Sequence, residues 1–159
     1  MKIIKNREVI DDTWISITAN QTVPAGDVIV PVNTWLTQRE GLAHRQGKLG
    51  VLLNSNDDLD FIIPDLIYFD LVALNFPKYT DGRNFSLARL LRDRYNYEGE
   101  IRAVGNILRD QLAFLERCGF DAFTLTDYYD PEKSITSFDD ISVKYQTAAD
   151  RVEPAYRYR

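Results

Sequence analysis

The stretch that decides the fold is residues 71–125, LVALNFPKYTDGRNFSLARLLRDRYNYEGEIRAVGNILRDQLAFLERCGFDAFTL. It contains three short apolar runs that predict strands, at residues 71–74, 101–104 and 122–125. Between them lie two segments with apolar residues at helical spacing, which predict helices over residues 85–95 and 107–117. This alternation of strand and helix predicts parallel strands that are joined by helical crossovers.

The same alternation extends towards the N-terminus. A strand is predicted at residues 27–32, where Pro31 indicates an edge strand or a strand end, and another at residues 49–53. Helices are predicted over residues 34–46 and, less regularly because a proline interrupts the segment, over residues 59–66. Together with the stretch above, these elements predict a parallel sheet of about five βα units.

The two ends of the chain have a different character. Residues 1–26 are interpreted as an extended lead-in, and residues 134–145 as a closing helix or part of a strand. Residues 146–159 contain few aliphatic side chains, which is typical of a partly disordered tail or of an arm that orders on a partner. A length of 159 residues suits one α/β domain, so we expect a single domain over residues 1–159.

Two arrangements of the sheet remain open, an open flavodoxin-like sheet and a half-barrel-like arc. Parallel strands that are covered on both faces are apolar throughout. Here, however, Glu100 and Arg102 fall on one face of one predicted strand, and Thr124 and Thr126 on one face of the next. A polar inner face is typical of (β/α) barrels, and a five-stranded arc would need a partner chain or its own N-terminal segment to close it.

Composition restricts the class of function. The chain is 45% apolar and 27% charged, as globular domains are, and its formal net charge is −5. An acidic chain disfavours nucleic acid and anionic membranes as partners. The N-terminus reaches charged residues before any apolar run of signal-peptide length, and no segment approaches the roughly 18 apolar residues that span a bilayer. With a single cysteine, Cys118, these features predict a cytoplasmic protein.

Sequence motifs for cofactors are absent. The chain has no G-x-G-x-x-G fingerprint and no P-loop. His44 is its only histidine and Cys118 its only cysteine, so a multi-histidine or multi-cysteine metal site cannot be built. We therefore predict no metal and no cofactor, with flavin left open because flavin sites vary too much to be excluded by motif.

One candidate ligand pocket lies at the carboxyl ends of the predicted strands, where α/β proteins bind ligands. Its candidate residues are Asp81, Arg83, Ser86, Glu100, Arg102 and Asp110. Arg83 and the amino end of the following helix would suit a small anion such as sulfite or a phosphate group. The alternative interpretation is structural: Asp81 would pair with Arg83 to hold a loop, and Glu100 with Arg102 to lock a buried interface.

A second candidate site is the arginine-rich helix around residue 90. Arg89, Arg92 and Arg94 would form a docking surface for an acidic partner. The alternative is a solvated helix face whose arginine stems cover apolar surface.

A longer pattern carries a family resemblance. Its residues are Phe76-Pro77, Asp81-Gly82-Arg83, Phe85-Ser86, Ala88-Arg89, Leu91-Arg92-Asp93-Arg94, Gly99-Glu100-Ile101-Arg102-Ala103-Val104-Gly105, Asp110-Gln111 and Arg117-Cys118-Gly119-Phe120-Asp121, with Lys48-Leu49-Gly50-Val51 as a weaker landmark. This pattern resembles the bacterial domain-of-unknown-function family 934. Members of that family are often labelled as oxidoreductases of sulfite reduction and are typically encoded beside the sulfite reductase haemoprotein.

The resemblance implies a role in assimilatory sulfite reduction. We expect an accessory protein that acts through the sulfite reductase haemoprotein or its electron donor, with a homodimer also possible. The alternative is a small oxidoreductase that binds a small anion or flavin at the carboxyl ends of the strands. A third hypothesis is a cofactor-free enzyme with Asp57, Asp127 or Glu100 as its base.

Overall fold

The computed structural model describes residues 1–140, 146–150 and 153–158, and these form one eight-stranded sheet with helices. The strands are β1 (Lys2–Lys5), β2 (Glu8–Asp11), β3 (Ile15–Ser16), β4 (Val28–Pro31), β5 (Leu49–Asn54), β6 (Leu71–Phe76), β7 (Glu100–Gly105) and β8 (Ala122–Phe123). The α-helices are α1 (Val32–Ala43), α2 (Arg83–Asp93), α3 (Leu112–Cys118) and α4 (Pro131–Ser134). The 3₁₀ helices are Leu59–Phe61, Ile63–Tyr68, Arg109–Gln111, Ile135–Asp139 and Ala155–Tyr158.

Strands β3 to β8 are parallel and lie side by side in the order of the sequence. Strand β1 then pairs antiparallel with β8, and β2 antiparallel with β1. Because crossovers between parallel strands are right-handed, consecutive strand order puts every connecting helix on the same face of the sheet. A flavodoxin-like sheet instead reverses its order at a switch point. The half-barrel-like arc is therefore the architecture of this chain, and the open flavodoxin-like alternative is wrong.

The sheet curls strongly. Strand β2 ends at Asp11 on one edge and β3 begins at Ile15 on the other. In a flat sheet, eight strands would separate these edges by about 34 Å, since neighbours lie about 4.8 Å apart. Three connecting residues span at most about 15 Å. The chain's own N-terminal segment thus bridges the two edges, which is one of the two closures expected for an arc.

The two faces of the sheet are packed differently. On the convex face, β-strand side chains form one continuous core with Trp35 of α1, Leu91 of α2 and Leu115 of α3. On the concave face, a small apolar cluster of Ile29, Leu71 and Ala73 is covered by Trp14 and other half-buried apolar side chains. The segment that connects β2 to β3 therefore crosses the concave face. Among the described residues, no helix is both long enough and apolar enough to cross a bilayer.

Several predicted boundaries are wrong. Helices α1 and α2 each begin two residues before the predicted start and end before the predicted end, and residues 59–66 form 3₁₀ turns instead of an α-helix. The helix predicted from residue 107 begins as a 3₁₀ turn and becomes α-helical only at Leu112. The backbone of Leu108 is extended there. Its N–H donates a hydrogen bond to the Gln111 side chain at 3.0 Å, which holds Leu108 outside the helix.

The chain ends also differ from the predictions. Residues 1–26 contain the hairpin β1–β2, whose turn places Asn6 and Arg7 at positive φ, in addition to β3. Strand β8 stops at Phe123, two residues early, and pairs with β1 and β7 over two residues each. The predicted element 134–145 is helical up to Asp139, and residues 141–145 lie outside the described residues.

Part of the predicted tail contacts the end of α3. The N–H of Ala149 donates to the carbonyl of Arg117 at 3.0 Å, and Arg117 pairs with Asp150 at 3.1 Å. The end of α3 thus contacts residues 146–150 directly.

Candidate functional site

Amide side chains connect the carboxyl ends of the central strands. Asn75, near the end of β6, donates from Nδ2 to Oδ1 of Asn54, the last residue of β5, at 2.8 Å. Asn84 on α2 donates from Nδ2 to the Asn75 carbonyl at 2.6 Å. Asp57 accepts from the backbone N–H of Asn54 at 2.7 Å, which closes the loop after β5. These bonds fix the positions of two strand ends and one helix start, as a ligand site requires.

Arg83 is the first residue of α2 and joins two loops. Its guanidinium forks onto Asp81 with bonds of 2.9 and 2.7 Å, and it donates to Ser55 Oγ at 3.0 Å and to Asn56 Oδ1. Hydrogen bonds from Arg83, and next from Ser55, hold the pKa of Asp81 below its usual range. The pair raises the pKa of Arg83 in turn. Arg83 therefore keeps the loops after β5 and β6 together, while part of its side chain remains exposed.

Arg102 lies at the centre of a buried ion network on the concave face. Its side chain is 2% exposed; Nε donates to Glu100 at 2.7 Å and Nη1 to Asp12 at 2.9 Å. Lys5 approaches the other Glu100 oxygen at 2.7 Å. The network contains two cations and two carboxylates, so its formal charges cancel. It connects β7 both to β1 and to the segment that crosses the concave face.

The six predicted pocket residues do not come together as one pocket. Asp81 and Arg83 lie at the carboxyl ends of the strands, whereas Glu100 opens β7 at its amino end, about 16 Å from Gly105 at the other end of that strand. Ser86 lines a cleft of about 500 Å³ on the outer side, between α2 and α3. Asp110 is exposed on a 3₁₀ turn. Sequence spacing indicates both ion pairs correctly but cannot show that they lie at opposite ends of the strands.

The three arginines of α2 have different environments. Arg92 is mostly buried and donates to the carbonyls of Gly119 and Gly99 at 3.0 and 2.8 Å, and to Asp121 at 2.9 Å. Arg89 pairs with Asp93 on the same helix, and Arg94 stacks over a neighbouring tyrosine ring. The predicted docking surface is therefore wrong for Arg92, whose guanidinium points into the fold to satisfy backbone carbonyls.

A known protein family matches the part of the chain that contains most of these residues. A model of a bacterial protein family of unknown function, DUF934, matches residues 50–156, two thirds of the chain. The chain belongs to the DUF934 family. No curated protein matches the sequence.

The DUF934 match includes all of the Arg83 cluster but only part of the ion network around Arg102. Ser55, Arg83 and Arg102 lie within it. Lys5 and Asp12, which complete the ion network around Arg102, lie before it. The matched region therefore carries a buried arginine whose second carboxylate is supplied from outside that region.

Sequence reasoning misses several residues of these clusters. Asp12 could not be identified from the sequence, because it reaches Arg102, 90 positions along the chain, only where its segment crosses the concave face. Ser55 and Asn56 have the composition of capping residues, but nothing in the sequence links them to Arg83. The available signal is the mid-strand arginine itself, since a buried guanidinium needs more than one carboxylate or carbonyl partner.

Within the described part of the chain, Cys118 and the acidic residues form no further reactive cluster. Burial raises the pKa of the Cys118 thiol, which disfavours the nucleophilic thiolate. Among the residues that the structure describes, no group of three or more His, Cys, Asp or Glu side chains is placed to hold a metal ion. Of the three candidate bases, Asp57 and Glu100 are engaged as above, and Asp127 is exposed beyond β8.

Proposed function

We propose that this protein is a cytoplasmic accessory protein of assimilatory sulfite reduction, which acts by binding the sulfite reductase haemoprotein or its electron donor. The pathway assignment rests on the family resemblance, whose members are encoded beside the reductase. The mode of action is inferred from how the charged side chains are used.

The observation that carries the proposal is the internal pairing of the charged groups that could have served as a site. Arg102 is held by Glu100 and Asp12, and Arg83 by Asp81, Ser55 and Asn56. A guanidinium that already has its carboxylate partners would have to give them up before it could bind an anion. These groups stabilise the arc, which favours a protein that works through its surface.

The test uses purified sulfite reductase haemoprotein with its electron donor. We expect the protein to form a complex with one of them in sedimentation velocity, or to change the rate of sulfite reduction at a fixed reductase concentration. If neither association nor a change in rate is observed across micromolar concentrations, the proposed function is wrong.

A small oxidoreductase that binds an anion or flavin is the second candidate. It is favoured by Asn84, which is buried at the start of α2 while its Oδ1 accepts no hydrogen bond from any described residue. A ligand with an N–H or O–H group near the strand ends would satisfy that oxygen. The test is the visible spectrum of the native protein before and after incubation with flavin; a colourless protein that retains no flavin excludes the flavin version.

A further inference from the structure

The two consecutive 3₁₀ helices between β5 and β6 have a repeat of three residues. Leu59, Ile62 and Asp65 are buried, and each lies three positions from the next. In a 3₁₀ helix, residues i and i+3 lie on the same side. The residues two positions after each of these are all exposed, and they are Phe61, Pro64 and Ile67. Residues 59–67 therefore place Leu59, Ile62 and the carboxylate of Asp65 inwards and one apolar stripe outwards.

The outward stripe is rigidly mounted. Asp65 accepts a hydrogen bond from Trp35 Nε1 at 2.9 Å and pairs with Arg39. The Trp35 ring packs edge-on against Phe69 with centroids 4.9 Å apart. The Tyr97 hydroxyl donates to the Phe69 carbonyl at 2.9 Å. Because α1 and the segment before β7 both hold these turns, the outward side chains are presented in fixed positions.

The exposed side chains are large and apolar. Phe61 is 56% exposed and Ile67 is 87% exposed. Leu36 of α1 and Tyr68 are also exposed, and these two side chains line a common cleft of about 620 Å³. We define the 3₁₀ face as the outward stripe Phe61, Pro64 and Ile67. Scattered exposed apolar residues are normal, whereas several on neighbouring elements mark an interaction surface.

The surroundings of the 3₁₀ face are acidic. Residues 57–70 contain five aspartates and no lysine or arginine. Asp58 and Asp60 are exposed beside Phe61, and Glu98 lines a cleft with Ile67. The arginine of α1 next to this face is already paired with the buried Asp65. An apolar centre within a negative rim is complementary to an apolar surface within a positive rim.

We propose that the 3₁₀ face is the surface through which this protein docks the sulfite reductase haemoprotein, on a patch of that enzyme where lysine and arginine surround an apolar centre. This inference rests on the proposed function and names its contact surface. A second copy of this chain is a poor complement, because its 3₁₀ face carries the same acidic rim and residues 57–70 offer no lysine or arginine to pair with it.

The first test removes apolar contacts and measures the dissociation constant of the complex with purified haemoprotein. We expect Phe61→Ala combined with Ile67→Ala to weaken binding at least about tenfold, as loss of central apolar residues does. Tyr128→Ala is the matched control, because Tyr128 is also 87% exposed but lies beyond β8, and it should bind like the wild type. Circular dichroism and thermal unfolding verify that all variants fold.

The second test changes charge. Asp60→Lys should slow association several-fold and reduce the dependence of the association rate on salt, whereas Glu8→Lys, on exposed β2, should leave both unchanged. If the wild type binds and the Phe61 and Ile67 variant binds equally well, the docking surface is wrong and the proposed function stands. Wild-type protein that does not bind the haemoprotein overturns the docking surface, and it overturns the proposed function as well if the protein neither binds the electron donor nor changes the rate of sulfite reduction. Self-association that the double variant abolishes would assign the face to a second copy.

Discussion

Replacing Arg102 with methionine tests whether the ion network on the concave face stabilises the arc. Methionine keeps an unbranched side chain of similar length but removes the guanidinium. Asp12 would lose its 2.9 Å partner, and Glu100 would retain only Lys5 at 2.7 Å. The variant thus leaves a carboxylate without its partner in a largely buried position.

The magnitude follows from that burial. Breaking a buried ion pair on one side typically destabilises a protein by about 3–5 kcal/mol. Because Glu100 keeps a lysine and Asp12 still accepts a hydrogen bond from the backbone N–H of Trp14, we expect the lower end, about 3 kcal/mol. For a chain of this size each kcal/mol lowers Tm by roughly 2–4 °C, so Tm should fall by about 6–12 °C.

The assay is urea unfolding followed by circular dichroism, completed as a double-mutant cycle with Asp12→Asn. The asparagine removes the negative charge that Arg102→Met would leave unpaired. We expect the double variant to be more stable than the sum of the two single effects predicts, by about 1–3 kcal/mol, since the residues are in direct contact.

Two results would refute this reasoning. One is a loss of less than about 1 kcal/mol for Arg102→Met, which is the range of an exposed ion pair. The other is strict additivity in the cycle, which would mean that Asp12 and Arg102 do not act together. Either result would show that the crossing segment is held by Trp14 and its apolar neighbours instead.

Three further predictions concern other parts of the molecule. Cys118 should react with a thiol reagent far more slowly in the folded protein than in urea at the same pH, because burial raises its pKa and shields it; equal rates would contradict its placement. Arg92→Lys keeps the charge but loses the guanidinium fork to three carbonyls and Asp121, so the free energy of unfolding should fall by roughly 2–4 kcal/mol in urea titrations, whereas a neutral result would place Arg92 at the surface. Because the pKa of Asp81 is lowered in the fold, its ionised form stabilises the protein above the unfolded pKa of about 4, and this stabilisation is lost as the pH falls from there towards the lowered pKa. Asp81→Asn should therefore flatten the acid limb of a stability–pH curve. An unchanged limb would show that the Asp81–Arg83 pair does not stabilise the fold.

The sequence is sufficient to predict the parallel α/β class and most element types. The apolar runs at β5 and β6 are nearly continuous because both of their faces are covered, and such runs are visible without any knowledge of contacts. The position of Arg102 in the middle of an apolar strand likewise predicts an enclosed polar interior. Its pairing with Glu100, two residues away, follows from the alternation of side chains along a strand.

Element boundaries depend on local geometry that periodicity does not encode. The helix predicted from residue 107 starts late because Gln111 caps the backbone of Leu108. The turns of residues 59–68 resemble a broken α-helix in sequence, since three- and four-residue spacings are hard to distinguish over a short segment.

What the sequence by itself determined is the parallel strands and main helices from residue 27 onwards, a long family motif and the presence of an arginine in the middle of a strand. Only the tertiary structure decided that the sheet curls, that the N-terminal segment crosses its concave face, and that Asp12 reaches Arg102. The physical reason is range: side-chain periodicity reports on neighbours a few residues apart, whereas closure of the arc depends on contacts between residues that are 90 positions apart.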